Sequence, residues 1–97
     1  MDSSSLDKAI NILDTNKDDW VNLPISEKIP LFKSLSSKTA AVAKDWTDAA
    51  LKAKSIKEDS PLSGEEWTSG PWALIYGVES MVDTLIALDK GQNPPVG

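Results

Sequence analysis

"SGEEWTSGPW", residues 63–72, places two Trp, two adjacent Glu and a Gly-Pro within ten positions. Two chemistries compete for it. Paired carboxylates beside an aromatic wall make an acid–base site when their surroundings separate their pKa values. A turn that opens a helix and plants two indoles in a seam needs the same residue types. Ser63-Gly64-Glu65-Glu66 has the S-x-x-E spacing of a capping box, in which Ser63 and Glu66 each satisfy a backbone N–H. A short helical turn ending near Trp67 follows from it. Gly70 with Pro71 then starts a longer helix, because proline at the first helical position loses no hydrogen bond. The structural reading is preferred, and the stretch becomes a joint with Trp67 and Trp72 as its pegs.

Downstream of the joint, Leu74, Ile75, Val78, Met81, Val82, Leu85 and Ile86 recur at helical spacing and Gly91 closes the helix. Trp72 and Tyr76 stand four residues apart, one face away from that stripe. A three-helix core uses one face of each helix, so an aromatic second face calls for a cover, and aromatic anchors dominate the centres of protein interfaces. Upstream, a first helix starts after Ser3-Ser4-Ser5 and ends at Leu23-Pro24, with Leu6, Ile10, Leu13 and Trp20 on one face. A second, long helix carries Ile25, Ile29, Phe32, Leu35, Thr39, Val42, Trp46, Ala49 and Ala53 in an unbroken three-and-four rhythm. Its start is open. With Ser26 as the cap, Pro30 falls at the fourth helical position, and with Ile29 as the cap it falls at the first. The expected architecture is all-α: three main helices, a helical hairpin plus a third amphipathic helix packed across it, with a short helical turn before the third. Residues 1–91 form one small domain, and residues 92–97 an extended Pro-rich tail that serves as a linker toward a following domain.

Composition removes most catalytic schemes. The 97 residues contain no Cys and no His, so neither a thiol nucleophile nor the usual neutral-pH base is available. Residues 1–22 carry five acids against two Lys, residues 26–54 six Lys against three acids, and the remainder seven acids against two Lys. Every basic residue is Lys, which excludes bidentate guanidinium recognition. An acidic chain without Arg is a poor nucleic-acid binder. No apolar run reads as a bilayer span and no signal peptide is evident, so the expected setting is cytoplasmic, without membrane or nucleic acid as partner. Asp14, Asn16 and Asp18 imitate the opening of a calcium loop. Asp19 replaces its glycine and Ile25 its bidentate glutamate, so the polar end of the first helix is preferred and no metal site is assigned.

"WVNLPISEKIPLFKSL", residues 20–35, resembles the N-terminal region of the aldehyde dehydrogenase superfamily, where a helix ends in Trp before a Leu-Pro-like turn and a Leu-rich helix. "GEEWTSGPW" with the amphipathic helix after it is similar to a branch of long aldehyde dehydrogenase-like proteins, and the likeness spans roughly residues 6–91. Ala53-Lys54-Ser55 departs from it, standing where many members have Thr-Gly-Lys. The resemblance implies a parent protein with an NAD(P)-binding domain and a catalytic Cys, both outside these residues, that oxidises aldehydes to acids. This segment would then be a non-catalytic scaffold without cofactor, docked on the remaining domains of its own chain or on a protein partner, with Trp20, Ser63, Glu66, Trp67, Pro71, Trp72 and Tyr76 as its docking or structural residues. The alternative is a free-standing acidic helical protein-interaction module. No activity is expected from these 97 residues alone.

Overall fold

The computed structural model describes residues 2–96, so Gly97 of the expected tail lies outside the described residues. Four helices follow in order: α1 (Ser3–Asn22), α2 (Ile25–Ala53), the short α3 (Ser63–Ser69) and α4 (Pro71–Asp89), with no strand among the described residues. The class is all-α with three main helices, as the periodicity predicts. Asp2, not a serine, caps α1: its Oδ1 accepts from the Ser5 N–H at 2.8 Å. That bond to a charged acceptor holds the Asp2 carboxyl below its usual pKa.

The hairpin is α2 with α4. Ser36 donates to Glu79, while Gly70 lies against Trp46, so the two helices run antiparallel. Their seam buries Thr39, Ala43, Thr47 and Leu51 of α2 against Pro71, Val78 and Val82 of α4. Small side chains at steps of four let α4 approach the α2 backbone, and the Val side chains of α4 fill the space. The buried row on α2 is therefore rotated from the expected one. Thr39 belongs to both, but Leu35, Val42 and Trp46 are exposed beside the seam. On α4, Leu74, Met81 and Leu88 are exposed likewise. Both rows are rotated backwards from their contact lines by about a quarter turn at 3.6 residues per turn. In an antiparallel pair these positions fall on the same side, so the two rows make one continuous apolar face.

No helix packs across the hairpin. None of α1 is buried, and α1 meets the rest of the chain at a corner, where the Trp20 and Phe32 rings lie 6.2 Å apart and Lys28 Nζ sits 5.0 Å from the Trp20 centroid. Leu23 and Pro24, both extended (φ −62°, ψ 126° and φ −55°, ψ 146°), make this corner. The chain is consequently a flat two-armed body, 47 × 42 × 20 Å, with a radius of gyration of 17.6 Å. A compact chain of this length has about 12.5 Å. Its accessible surface is 7430 Å², against about 5,400 Å² for an ordinary folded monomer of this mass.

Helix ends are closed by specific devices. At the end of α4, Gly91 (φ +68°) and Gln92 donate to the carbonyls of Leu88 and Ala87, the paired bonds of a Schellman motif. Ser55 (φ +56°) and Ile56 do the same for Lys52 and Leu51 at the end of α2. Neither expected cap begins α2. Pro24 is its N-cap, which places Pro30 at the sixth helical position, in the interior, where it cannot donate to the Ser26 carbonyl. Replacement of Pro30 by Ala should therefore raise stability by about 1 kcal/mol or more, read as a higher urea midpoint. A midpoint that falls on this substitution contradicts the interior placement.

Candidate functional site

The joint between α3 and α4 positions the aromatic residues. Ser60-Pro61-Leu62-Ser63 forms a turn closed by the Ser63 N–H on the Ser60 carbonyl at 3.0 Å, with Pro61 in the position proline favours. Leu62 is thereby already helical (φ −68°, ψ −17°) and stands at the N-cap with no side-chain bond. The capping box does not form. Ser63 is the first helical residue and cannot adopt the extended backbone a cap needs. Glu66 turns the other way: its carboxylate is buried at 7% exposure and accepts from Lys54 Nζ at 2.7 Å. The hydrogen bond to Glu66, then its charge, hold the Lys54 ammonium above its ordinary pKa. This pair ties the end of α2 to α3. Glu65 is exposed, while the Glu66 carboxylate is engaged by Lys54. At the far end of α3, the hydroxyls of Thr68 and Ser69 donate to the Glu65 carbonyl at 3.1 and 2.7 Å. These side-chain bonds fold back onto a carbonyl of their own helix, the local back-bonding of Ser and Thr.

Gly70 makes the tight passage from α3 into α4. A Cβ there would lie 2.8 Å from the Glu66 carbonyl oxygen and 3.4 Å from the Trp46 indole. Pro71 follows as the first residue of α4, as expected, and is buried. Trp72 and Tyr76, one turn apart, stack at 5.2 Å with 17° between their planes. They remain 60% and 63% exposed. Beside them, Trp67, Thr68, Pro71, Trp72 and Ile75 form an apolar groove with Ala40 and Ala43 of α2. Of the seven residues singled out from sequence, Trp67, Pro71 and Trp72 meet at this groove and Tyr76 extends it. Ser63 and Glu66 support it from below through α3. Trp20 stands apart at the corner.

This groove and the Leu35/Leu74 face occupy opposite flanks of the hairpin. The sequence pattern signalled the Trp72–Tyr76 flank, since two aromatics at spacing four left the main stripe. Trp46 and Gly70 as contact partners were not legible, because they meet across 24 residues of chain. Asp14, Asn16 and Asp18 lie on continuous α1, where Asp14 pairs with Lys17 at 2.7 Å and Asn16 donates to the Ile12 carbonyl. They form no loop. Contrary to the expectation from apolar runs, the helical stretch Ser63–Asp89 is long and apolar enough to cross a membrane by length and composition. Its apolar content comes from α4 having two apolar faces, and Gly70-Pro71 divides it into two helices.

No family model, no curated protein and no solved structure matches this chain.

Two substitutions probe the joint. Gly70→Ala should destabilise the chain by about 1–3 kcal/mol, the cost of overpacking against fixed backbone; an unchanged denaturation midpoint contradicts the close passage. The Lys54–Glu66 pair has a defined pH signature. Because the lysine pKa is raised in the folded chain, the contribution is complete below the ordinary value of 10.5 and is lost as pH rises through the folded value. The stability difference between wild type and Lys54→Met should be constant near neutrality and shrink in the alkaline range. A difference that grows there contradicts the assignment.

Proposed function

We propose that this chain is a non-catalytic helical scaffold that docks on a second folded body through the groove of Trp67, Trp72 and Tyr76. The carrying observation is the stacked Trp72–Tyr76 pair, solvent-exposed on a helix whose seam residues Val78 and Val82 already supply the core. Large, rigid aromatic rings held in one orientation by stacking lose little conformational entropy on burial, which is what makes them interface anchors. Pro71 and the Gly70 passage fix the first turn of α4, so the rings are presented by a rigid element and not by a loop.

The sequence resemblance suggests what that body is: the coenzyme-binding domain of an aldehyde dehydrogenase-type oxidoreductase, in the same chain or in a partner. In this proposal the NAD(P) site and the reactive Cys belong to that body. The chain contributes burial and orientation. Its own residues are consistent with a supporting role, since its buried carboxylate, Glu66, is neutralised by Lys54 and is not among the residues lining the groove.

Two measurements test the proposal together. In variants retaining one Trp at a time, Trp72 should be readily quenched by iodide in the 97-residue chain and shielded when the coenzyme-binding body is joined to it. Calorimetric titration of NAD(P) into the chain alone should show no binding. Equal quenching of Trp72 in both contexts, or micromolar NAD(P) binding by the chain alone, contradicts the scaffold role.

A further inference from the structure

The corner between α1 and the hairpin carries a second, independent feature. Leu6, Leu13 and Trp20 recur every seven residues on α1 and are all exposed, Leu13 at 72%. Trp20 touches Phe32 and Lys28, so this row faces into the corner. The exposed rows of the hairpin have the same spacing, Leu35 to Val42 on α2 and Leu74, Met81, Leu88 on α4. Seven-residue spacing on each partner is the pattern of helices that pack at shallow angles, side chain into hollow. An amphipathic helix and a face that fits it thus lie in one chain without touching along their length.

The connection prevents them from closing on each other. Leu23 precedes proline, which disfavours the helical backbone region for it, and the Pro24 ring fixes φ. With only these two residues between the helices, both extended, α1 is directed away from its own hairpin. A short stiff hinge beside a complementary face is the arrangement that leads to exchange of an element between copies.

We infer that this chain forms a two-fold symmetric homodimer in which the α1 of each copy lies in the corner of the other, across the α2–α4 face. Area favours this occupant. The chain exposes about 2,000 Å² more than a compact monomer of its mass, and a standard specific interface needs about 800 Å² per partner. The dimer uses the flank opposite Trp72 and Tyr76 and does not depend on their docking role.

Sedimentation velocity across a concentration series tests this with the 97-residue chain. A dimer is expected at tens of micromolar. Leu13→Asp and Met81→Asp should each weaken it at least tenfold, while Trp72→Ala leaves it unchanged. Leu13 and Met81 are exposed in the single chain, so circular dichroism of both variants should remain that of the wild type. Inserting Gly-Ser-Gly-Ser between Leu23 and Pro24 frees the hinge and should yield a compact monomer with α1 folded onto its own hairpin. A wild-type chain that stays monomeric at 100 µM overturns the inference. So does a dimer insensitive to Leu13→Asp, or one abolished by Trp72→Ala, which would place the interface on the aromatic flank.

Discussion

Everything in this fold depends on how closely α4 can lie against α2. The row Thr39, Ala43, Thr47 has no side chain larger than threonine, and the passage at Gly70 admits no Cβ without displacing backbone. Together they bring the seam close enough for Val78 and Val82 to be buried. The same closeness limits the core, because small residues bury little apolar area. Thr47 illustrates the compromise: it is fully buried, and its hydroxyl has no hydrogen-bond partner. An unpaired buried hydroxyl is destabilising, and it is tolerated here where a narrow side chain is required.

A narrow seam leaves the bulky apolar residues outside it. Leu35, Val42, Leu74, Met81 and Leu88 flank it on one side, and Trp67, Trp72 and Tyr76 on the other. A hairpin with two apolar flanks and a detached amphipathic arm has less burial than its composition provides for. The proposed docking on the aromatic flank and the inferred exchange of α1 on the opposite flank would be two separate completions of that burial. Lys54–Glu66 has a different task. By fastening α3 to the end of α2, it keeps the aromatic groove in register with the hairpin whether or not a partner is present.

Helical periodicity sufficed for the all-α class and the three main helices, and the helix-end preferences of proline and glycine for Pro71 as the first residue of α4 and the Gly91 closure. It also separated the Trp72–Tyr76 flank from the main stripe of α4. What it could not resolve was partnership. Leu35, Val42 and Trp46 have the spacing of a core row, and only contact with α4 decides that the neighbouring small residues are buried instead. The S-x-x-E signal at Ser63 was overridden by the Ser60-Pro61 turn, which starts α3 earlier, and by Lys54, which offers Glu66 a charged partner. The position of α1 depends on Leu23-Pro24 geometry, which apolar periodicity does not encode.

Amide hydrogen exchange on the chain, diluted until it is monomeric, addresses the central claim most directly. Most helical stability in proteins comes from packing an amphipathic face, and α1 buries none of its residues. The amides of α1 should then exchange rapidly, while those of residues 39–51 and 78–86 along the seam are the most protected. Protection of α1 equal to that of the seam in the monomer would contradict the account, since it would mean that the single chain already covers its own apolar faces.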